Sequence, residues 1–199
     1  MITLDLLGMI ASLLATYYFM IMSQKAWIIT LVAALLNGYL YWHQGIYADS
    51  MLELFYFGNA CYGWYLWSAT PQEDNPVIIH TLKTQYWILL VTGTTLLFGI
   101  LCFLLRALTS SDVVLLDATT TTLSLLAQLL MAYKVIYTWL LWFVIDAIYC
   151  YLYLHKHIPF HAVLMLFYLA LAISGYYRWQ QESKKGQMIS TQVQQNPVQ

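Results

Sequence analysis

The chain has 199 residues, 61% of them hydrophobic and 9% charged, with a formal net charge of −1. Soluble domains carry roughly 25% charged residues, and a water-facing fold of this size cannot hide so much apolar area. The composition argues against a soluble enzyme, a disordered protein and a secreted disulfide scaffold, and the near-neutral charge offers no basic field for nucleic acid.

A bilayer-spanning helix needs about 20 mostly apolar residues. Seven runs qualify: 3–22, 26–43, 47–67, 86–105, 114–133, 137–155 and 159–178. Ser23-Gln24-Lys25 separates the first pair and His43-Gln44-Gly45 the second. The stretch Ala69 to Pro76 is the longest polar loop, and Arg106 to Asp112 makes another. Lys134 and the group His155 to Pro159 mark the last two joints. The N-terminal run lacks the basic start and small-residue cleavage site of a signal peptide and is longer than a signal's apolar core. The tail 181–199 is polar and Gln-rich, and is predicted to be disordered. Cys61, Cys102 and Cys150 fall in apolar runs without a CxxC pair, which predicts buried thiols rather than disulfides or metal ligands.

With seven spans, Lys25, Lys83, Lys134, Arg178, Lys184 and Lys185 share a side with the C-terminus, against Arg106 and Lys156 on the other. The excess of basic residues predicts a cytoplasmic C-terminus. Most of the 8 Trp and 17 Tyr suit the aromatic belts at the two membrane interfaces.

The sequence repeats itself. A shift of 112 residues aligns 4–67 with 116–179 without gaps, giving 21 identities in 64 pairs. Among them are Asp5 with Asp117, Ser12 with Ser124, Trp27 with Trp139, His43 with His155, Gly63 with Gly175 and Trp67 with Trp179. Three spans per repeat with one between them puts both repeats in the membrane the same way up. Parallel repeats of this kind are a transporter architecture, with the solute site expected where they meet. The units are then 1–67, 68–112, 113–180 and the tail 181–199.

Ionisable and amide groups inside a span are costly and usually functional. Asp5 and Asp49 read as interfacial. Asn59 suits helix–helix contact as well as it suits a ligand, and Asp117 suits an N-cap opening the run Asp117 to Thr122. Glu53, Gln128 and Asp146 lie deeper, with no Lys or Arg at comparable depth. Those carboxylates must be protonated, solvated by a cavity, or neutralised by a cationic solute. Trp139, Trp142, Asp146 and Tyr149 share one helical stripe. Aromatic planes beside an anion suit a flat, positively charged ring. No Walker A loop, dinucleotide glycine fingerprint, HExxH or GxSxG is present, so no catalytic constellation is visible and no cofactor is expected. His155 and His157 read as interfacial.

The segments Tyr62 to Trp67, Asp117 to Gln128, Thr138 to Asp146 and Gly175 to Trp179 together resemble the PnuC family of bacterial vitamin transporters, over roughly residues 1–180. The resemblance implies a fold similar to the SWEET transporters: an all-α membrane protein of seven helices in a 3+1+3 parallel repeat. It implies facilitated diffusion of nicotinamide riboside across the bacterial inner membrane. The solute would be trapped by a cytosolic kinase that feeds NAD biosynthesis, and the carrier would be a homotrimer. It further implies that Trp139 and Trp142 stack the ring while Gln128 and Asn37 supply amides. Glu53 stands where riboside carriers are expected to have glutamine. Thiamine or another cationic vitamin therefore stays open as substrate, as does a proton-coupled carrier using Glu53 or Asp146. The candidate binding set is Asn37, Glu53, Gln128, Trp139, Trp142, Asp146 and Tyr149.

Overall fold

A computed structural model describes residues 2–43, 47–69, 79–80, 84–108, 114–155 and 159–195. The side chains of Asp5 and Asp49, most of the 69–76 loop, Lys83, residues 109–112, Lys156 to Ile158, and residues 196–199 lie outside the described residues. Seven helices follow in chain order: α1 (Ile2–Met20), α2 (Lys25–His43), α3 (Tyr47–Ser68), α4 (Thr84–Leu108), α5 (Val114–Ala132), α6 (Thr138–His155) and α7 (Pro159–Gln195). At 1.5 Å per residue, even a 19-residue helix approaches the hydrocarbon thickness of a bilayer, about 30 Å.

Among the described residues, five stretches are long and apolar enough to cross a membrane: Lys25–His43, Gln85–Ala107, Val114–Ala132, Thr138–His155 and Ala162–Met188. The seven spans expected from the sequence are thus met by seven helices, of which five qualify on length and composition. In α1 the apolar part is the shorter Leu6–Met20. In α3 the hydropathy is diluted by Asp49, Glu53, Asn59 and four tyrosines.

The last helix corrects the expected tail. α7 continues without a break to Gln195, well past the end of the apolar run. Extending an existing helix adds a hydrogen bond for each residue fixed. Gln, Glu, Lys and Met are good helix formers, Glu182 and Lys185 pair at 2.7 Å one turn apart, and no proline intervenes before Pro197.

Helices α1, α2 and α3 touch in sequence, as do α5, α6 and α7, and two further contacts join the groups: α3 with α5, and α1 with α7. Among the described residues α4 packs on α5 alone. It turns Ile88, Leu89 and Phe103 outward, each at least 70% exposed. A surface of that kind suits lipid, since the backbone of a helix is satisfied internally.

The repeat is visible in the turns. Among the described residues, Met22 and Lys134, equivalent under the 112-residue shift, are the non-glycine residues with positive φ, at 55° and 51°. Both sit two residues beyond a helix end. Ser23 N donates to Tyr18 O at 2.9 Å and Met22 N to Phe19 O at 3.0 Å. Val135 N donates to Leu130 O and Lys134 N to Met131 O, both at 3.0 Å. Each is the paired bond of a Schellman cap, which satisfies the last carbonyls of α1 and α5 and reverses the chain into α2 and α6.

The tightest packing lies beside these turns. Trp27, Trp67, Trp139 and Trp179 are all at most 1% exposed. They form a chain of edge-on and tilted contacts: Trp27 to Trp67 at 5.5 Å, Trp67 to Trp179 at 6.4 Å and Trp179 to Trp139 at 5.6 Å. Trp67 Nε1 donates to Ala132 O at 3.0 Å and Trp179 Nε1 to Phe19 O at 3.1 Å, so each repeat is hydrogen-bonded to the other. The ring of Trp27 lies against the Cα of Gly63 and that of Trp139 against Gly175, where no larger residue fits. The cysteines are free, as expected, but none is buried: Cys61 is exposed and Cys102 and Cys150 half-buried.

Candidate functional site

A cavity of about 630 Å³ opens between the two groups of helices. Six of the seven candidate residues line it: Glu53 from α3, Gln128 from α5, and Trp139, Trp142, Asp146 and Tyr149 from α6. The α6 set follows from spacing, since steps of three and four residues keep one face toward the cavity. Asn37 is not in the lining. It shares a stripe of α2 with Thr30, Ala33 and Tyr41, which do line the cavity, but its amide is pressed against Gly8 of α1. Its equivalent in the second repeat is the lining residue Tyr149.

The lining is built from equivalent positions. Ser12 and Ser124, Thr16 and Gln128, Phe19 and Met131, Thr30 and Trp142, Tyr41 and Tyr153, Glu53 and Met165, and Tyr56 and Tyr168 all face the same space. Residues missed by the sequence reading are mostly the small hydroxyls of the first repeat and these tyrosines. Equivalence was the signal that could have found them: a candidate in one repeat marks its counterpart in the other.

The electrostatics are one-sided. Glu53, Asp117 and Asp146 line the cavity, and no Lys, Arg or His does among the described residues. Asp146 is 8% exposed. The hydroxyls of Ser12, Thr16 and Thr30 donate to Gly8 O, Ser12 O and Ala26 O of their own helices, each at 2.9 Å. Their donors are used, so they meet a guest as acceptors. Carboxylates and committed hydroxyls make the cavity rich in acceptors. The aromatic part is Trp142 with five tyrosines: Tyr41, Tyr56, Tyr149, Tyr153 and Tyr168. Trp139 is more deeply set: 1% exposed, with one ring face covered by Gly175 and its edge against Trp179. Its indole Nε1 and that of Trp27 are buried without a hydrogen-bond partner. Trp139 is therefore a wall of the cavity more than a free stacking surface. No cluster of three metal-ligating side chains occurs among the described residues.

Residues 2–181 match the nicotinamide mononucleotide transporter family. The chain belongs to that family. It is a multi-span membrane transporter, not an enzyme. Its fold is that of a solved vitamin B3 transporter, PnuC, with a TM-score of 0.75 over 92% of this chain and 83% of that one, at 21% identity. No curated protein matches the sequence. The cavity lies between the two repeated groups of helices.

Proposed function

We propose that the protein takes up nicotinamide riboside by facilitated diffusion, with the cavity as its site. The observation that carries this is the charge of the lining: three carboxylates, an aromatic wall and no base among the described residues. A pyridinium ring with a fixed positive charge is attracted by such a site through charge and cation–π contact. Its ribose hydroxyls and carboxamide N–H groups find acceptors there. The mononucleotide in the family's description carries a phosphate, which would face those carboxylates without a cation to receive it. Trp142 would stack the ring, Gln128 would bond the carboxamide or ribose, and Asp146 or Glu53 would balance the charge. Tyr149 would extend the aromatic wall, and Asn37 would brace α2 from outside the site.

In this reading α1–α3 and α5–α7 are two three-helix bundles joined by α4, a SWEET-like 3+1+3 arrangement of seven spans that exposes the site to each side in turn. The carrier is a homotrimer of the bacterial inner membrane with a cytoplasmic C-terminus, and phosphorylation by a cytosolic kinase retains the solute. Calorimetric titration of the purified protein tests the substrate. Saturable binding of nicotinamide riboside with no binding of thiamine supports the reading. Binding of thiamine alone would overturn it in favour of a thiamine carrier with the same site. A second reading, proton coupling, is favoured by the burial of Asp146; uptake into vesicles that does not change with an imposed pH gradient would exclude it.

A further inference from the structure

The two repeats meet along two seams, α3 against α5 and α1 against α7. The 112-residue shift turns one seam into the other. Each carries one indole bond, Trp67 to Ala132 O and Trp179 to Phe19 O. Deeper, at the cavity, Tyr168 of α7 and Ser12 of α1 line the same space, and the equivalent positions on α3 and α5 are again a tyrosine and a serine, Tyr56 and Ser124. At the end where the helices turn, the seams differ. Across α3–α5, Asn59 Nδ2 donates to Gln128 O at 3.3 Å, the Tyr62 and Tyr133 hydroxyls bond at 2.7 Å, and Lys134 Nζ lies 4.9 Å over the Trp67 ring. The equivalent positions across α1–α7 are Leu171 for Asn59, Ser174 and Ile21 for the tyrosines, and Met22 for Lys134. Leu171 and Ile21 carry no hydrogen-bonding side chain, and Met22 carries no charge to set over a ring.

A strap adds to the difference. His80, on the chain between α3 and α4, lies against the α5–α6 turn: its N donates to Lys134 O at 3.0 Å, and Ile136 N donates to its carbonyl at 3.3 Å. The position equivalent to His80 is Gln192, which is inside α7, so among the described residues the α1–α2 turn has no such strap. Beyond the indole bond that each seam carries, side-chain bonds and a cation over a ring therefore hold α3–α5 at this end of the molecule, and a backbone bridge pins the adjoining α5–α6 turn.

We propose that α3–α5 is the pivot of the transporter and α1–α7 the seam that parts when the cavity opens at the end where α5 turns into α6, with the Trp179–Phe19 bond as its latch. This rests on the transport reading above. The seam is well placed to unroof the site. Ser12, Thr16 and Phe19 of α1 and Tyr168 and Ala172 of α7 line the cavity, and the latch acceptor Phe19 is among them. Asn59, Tyr62 and Lys134 touch the pivot rather than the cavity, which makes them positioning residues for the motion.

The test compares the seams in a background with Cys102 and Cys150 replaced by serine. One protein carries Cys61→Ser with Ile21→Cys and Ser174→Cys; the other keeps the exposed Cys61 of α3 and carries Leu129→Cys on α5, which spares the Tyr62–Tyr133 bond. Spin labels across 21 and 174 should give two distances, with Trp179→Phe shifting the population toward the longer, and labels across 61 and 129 a single distance. A short bifunctional thiosulfonate across 21 and 174 should lower nicotinamide riboside uptake into proteoliposomes tenfold or more, reversibly with reductant, without changing the Kd measured in detergent. Two distances across 61 and 129, or uptake unchanged by the link across 21 and 174, would overturn the proposal. Absence of uptake by the unlinked parent would count against the transport reading instead, and the label distances would still decide between the seams.

Discussion

Gly175→Ala separates a structural tryptophan from one that shapes the cavity. A Cβ on Gly175 would fall 2.6 Å from Cδ2, Cε2 and Cε3 of Trp139, where an ordinary carbon contact is about 3.5–4.0 Å. The ring must therefore yield by about 1 Å. It cannot yield toward Trp179, whose ring stands edge-on at 5.6 Å. The remaining space is the cavity that Trp139 lines. Overpacking of this kind costs about 1–3 kcal/mol of stability. Displacing an aromatic wall should cost a further 0.5–1.5 kcal/mol or so of solute binding, roughly a two- to tenfold rise in Kd. Gly63→Ala is the control, because its Cβ would meet the ring of Trp27, which does not line the cavity. Thermal unfolding in detergent should show both variants destabilised, and calorimetric titration should show weaker binding for Gly175→Ala alone. If Gly63→Ala weakened binding as much, the assignment of Trp139 to the wall of the site would fail.

Trp142→Ala removes the less covered indole and should weaken riboside binding about tenfold or more, the order of a desolvated cation–π contact. Asp146→Asn should cost only a few-fold, since Glu53 and Asp117 remain; titration of both variants checks the order. The parent should prefer the riboside to its 5′-phosphate, and Glu53→Gln with Asp146→Asn should narrow that preference, read by competition binding. Burial at the α5–α6 turn holds the Lys134 ammonium below the ordinary lysine range. The unfolded chain therefore binds more protons than the folded one between that lowered pKa and the ordinary lysine value of about 10.4. Stability should rise with pH through this window. Lys134→Met, which copies the residue at the equivalent turn, should flatten the rise in melting temperature on the alkaline side of neutrality.

Much of the fold was legible because a membrane reduces the problem to counting. Apolar runs and their polar joints placed seven helices, most within a few residues of their observed limits. The exceptions have physical causes. The run that gave α3 is diluted by Glu53, Asn59 and tyrosines, so hydropathy alone does not rank it as a span. The helical tail escaped because low hydrophobicity was taken as disorder, whereas a helix already nucleated in α7 needs only good helix formers to continue. For the site, Glu53, Gln128 and the α6 stripe stood out by chemistry, since buried carboxylates and amides are conspicuous among leucines. Ser12, Thr16 and Thr30 did not, because serine and threonine commonly satisfy themselves on their own helix, as these do. Asn37 lies outside the lining because spacing gives the stripe of a residue but not its rotamer, and Gly8 leaves a hollow that the amide fills.

The duplication itself sorts the residues by role. Positions that pack the two halves have stayed the same in both: Trp27 and Trp139 on Gly63 and Gly175, Trp67 and Trp179 across the seams, Ala60 and Ala172 beneath them. Of the positions that face the cavity, Ser12 and Ser124, Tyr41 and Tyr153, and Tyr56 and Tyr168 have also stayed the same, while others have diverged: Thr30 against Trp142, Glu53 against Met165, Thr16 against Gln128. A symmetric frame needs equal residues at equal contacts, because both copies solve the same packing problem. A small solute without two-fold symmetry presents different groups to the two halves, so a good site breaks the symmetry where those groups differ. Here the groups proposed to hold the ring, Trp142 and Asp146, fall in the second repeat together with Gln128, and the first supplies Glu53 with small hydroxyls. The solute is thereby expected to lie with its charged ring against α6 and its hydroxylated end toward α1–α3. Exchanging Thr30 and Trp142 between repeats leaves the composition of the cavity unchanged and should still abolish tight binding, because the aromatic surface would no longer adjoin Asp146.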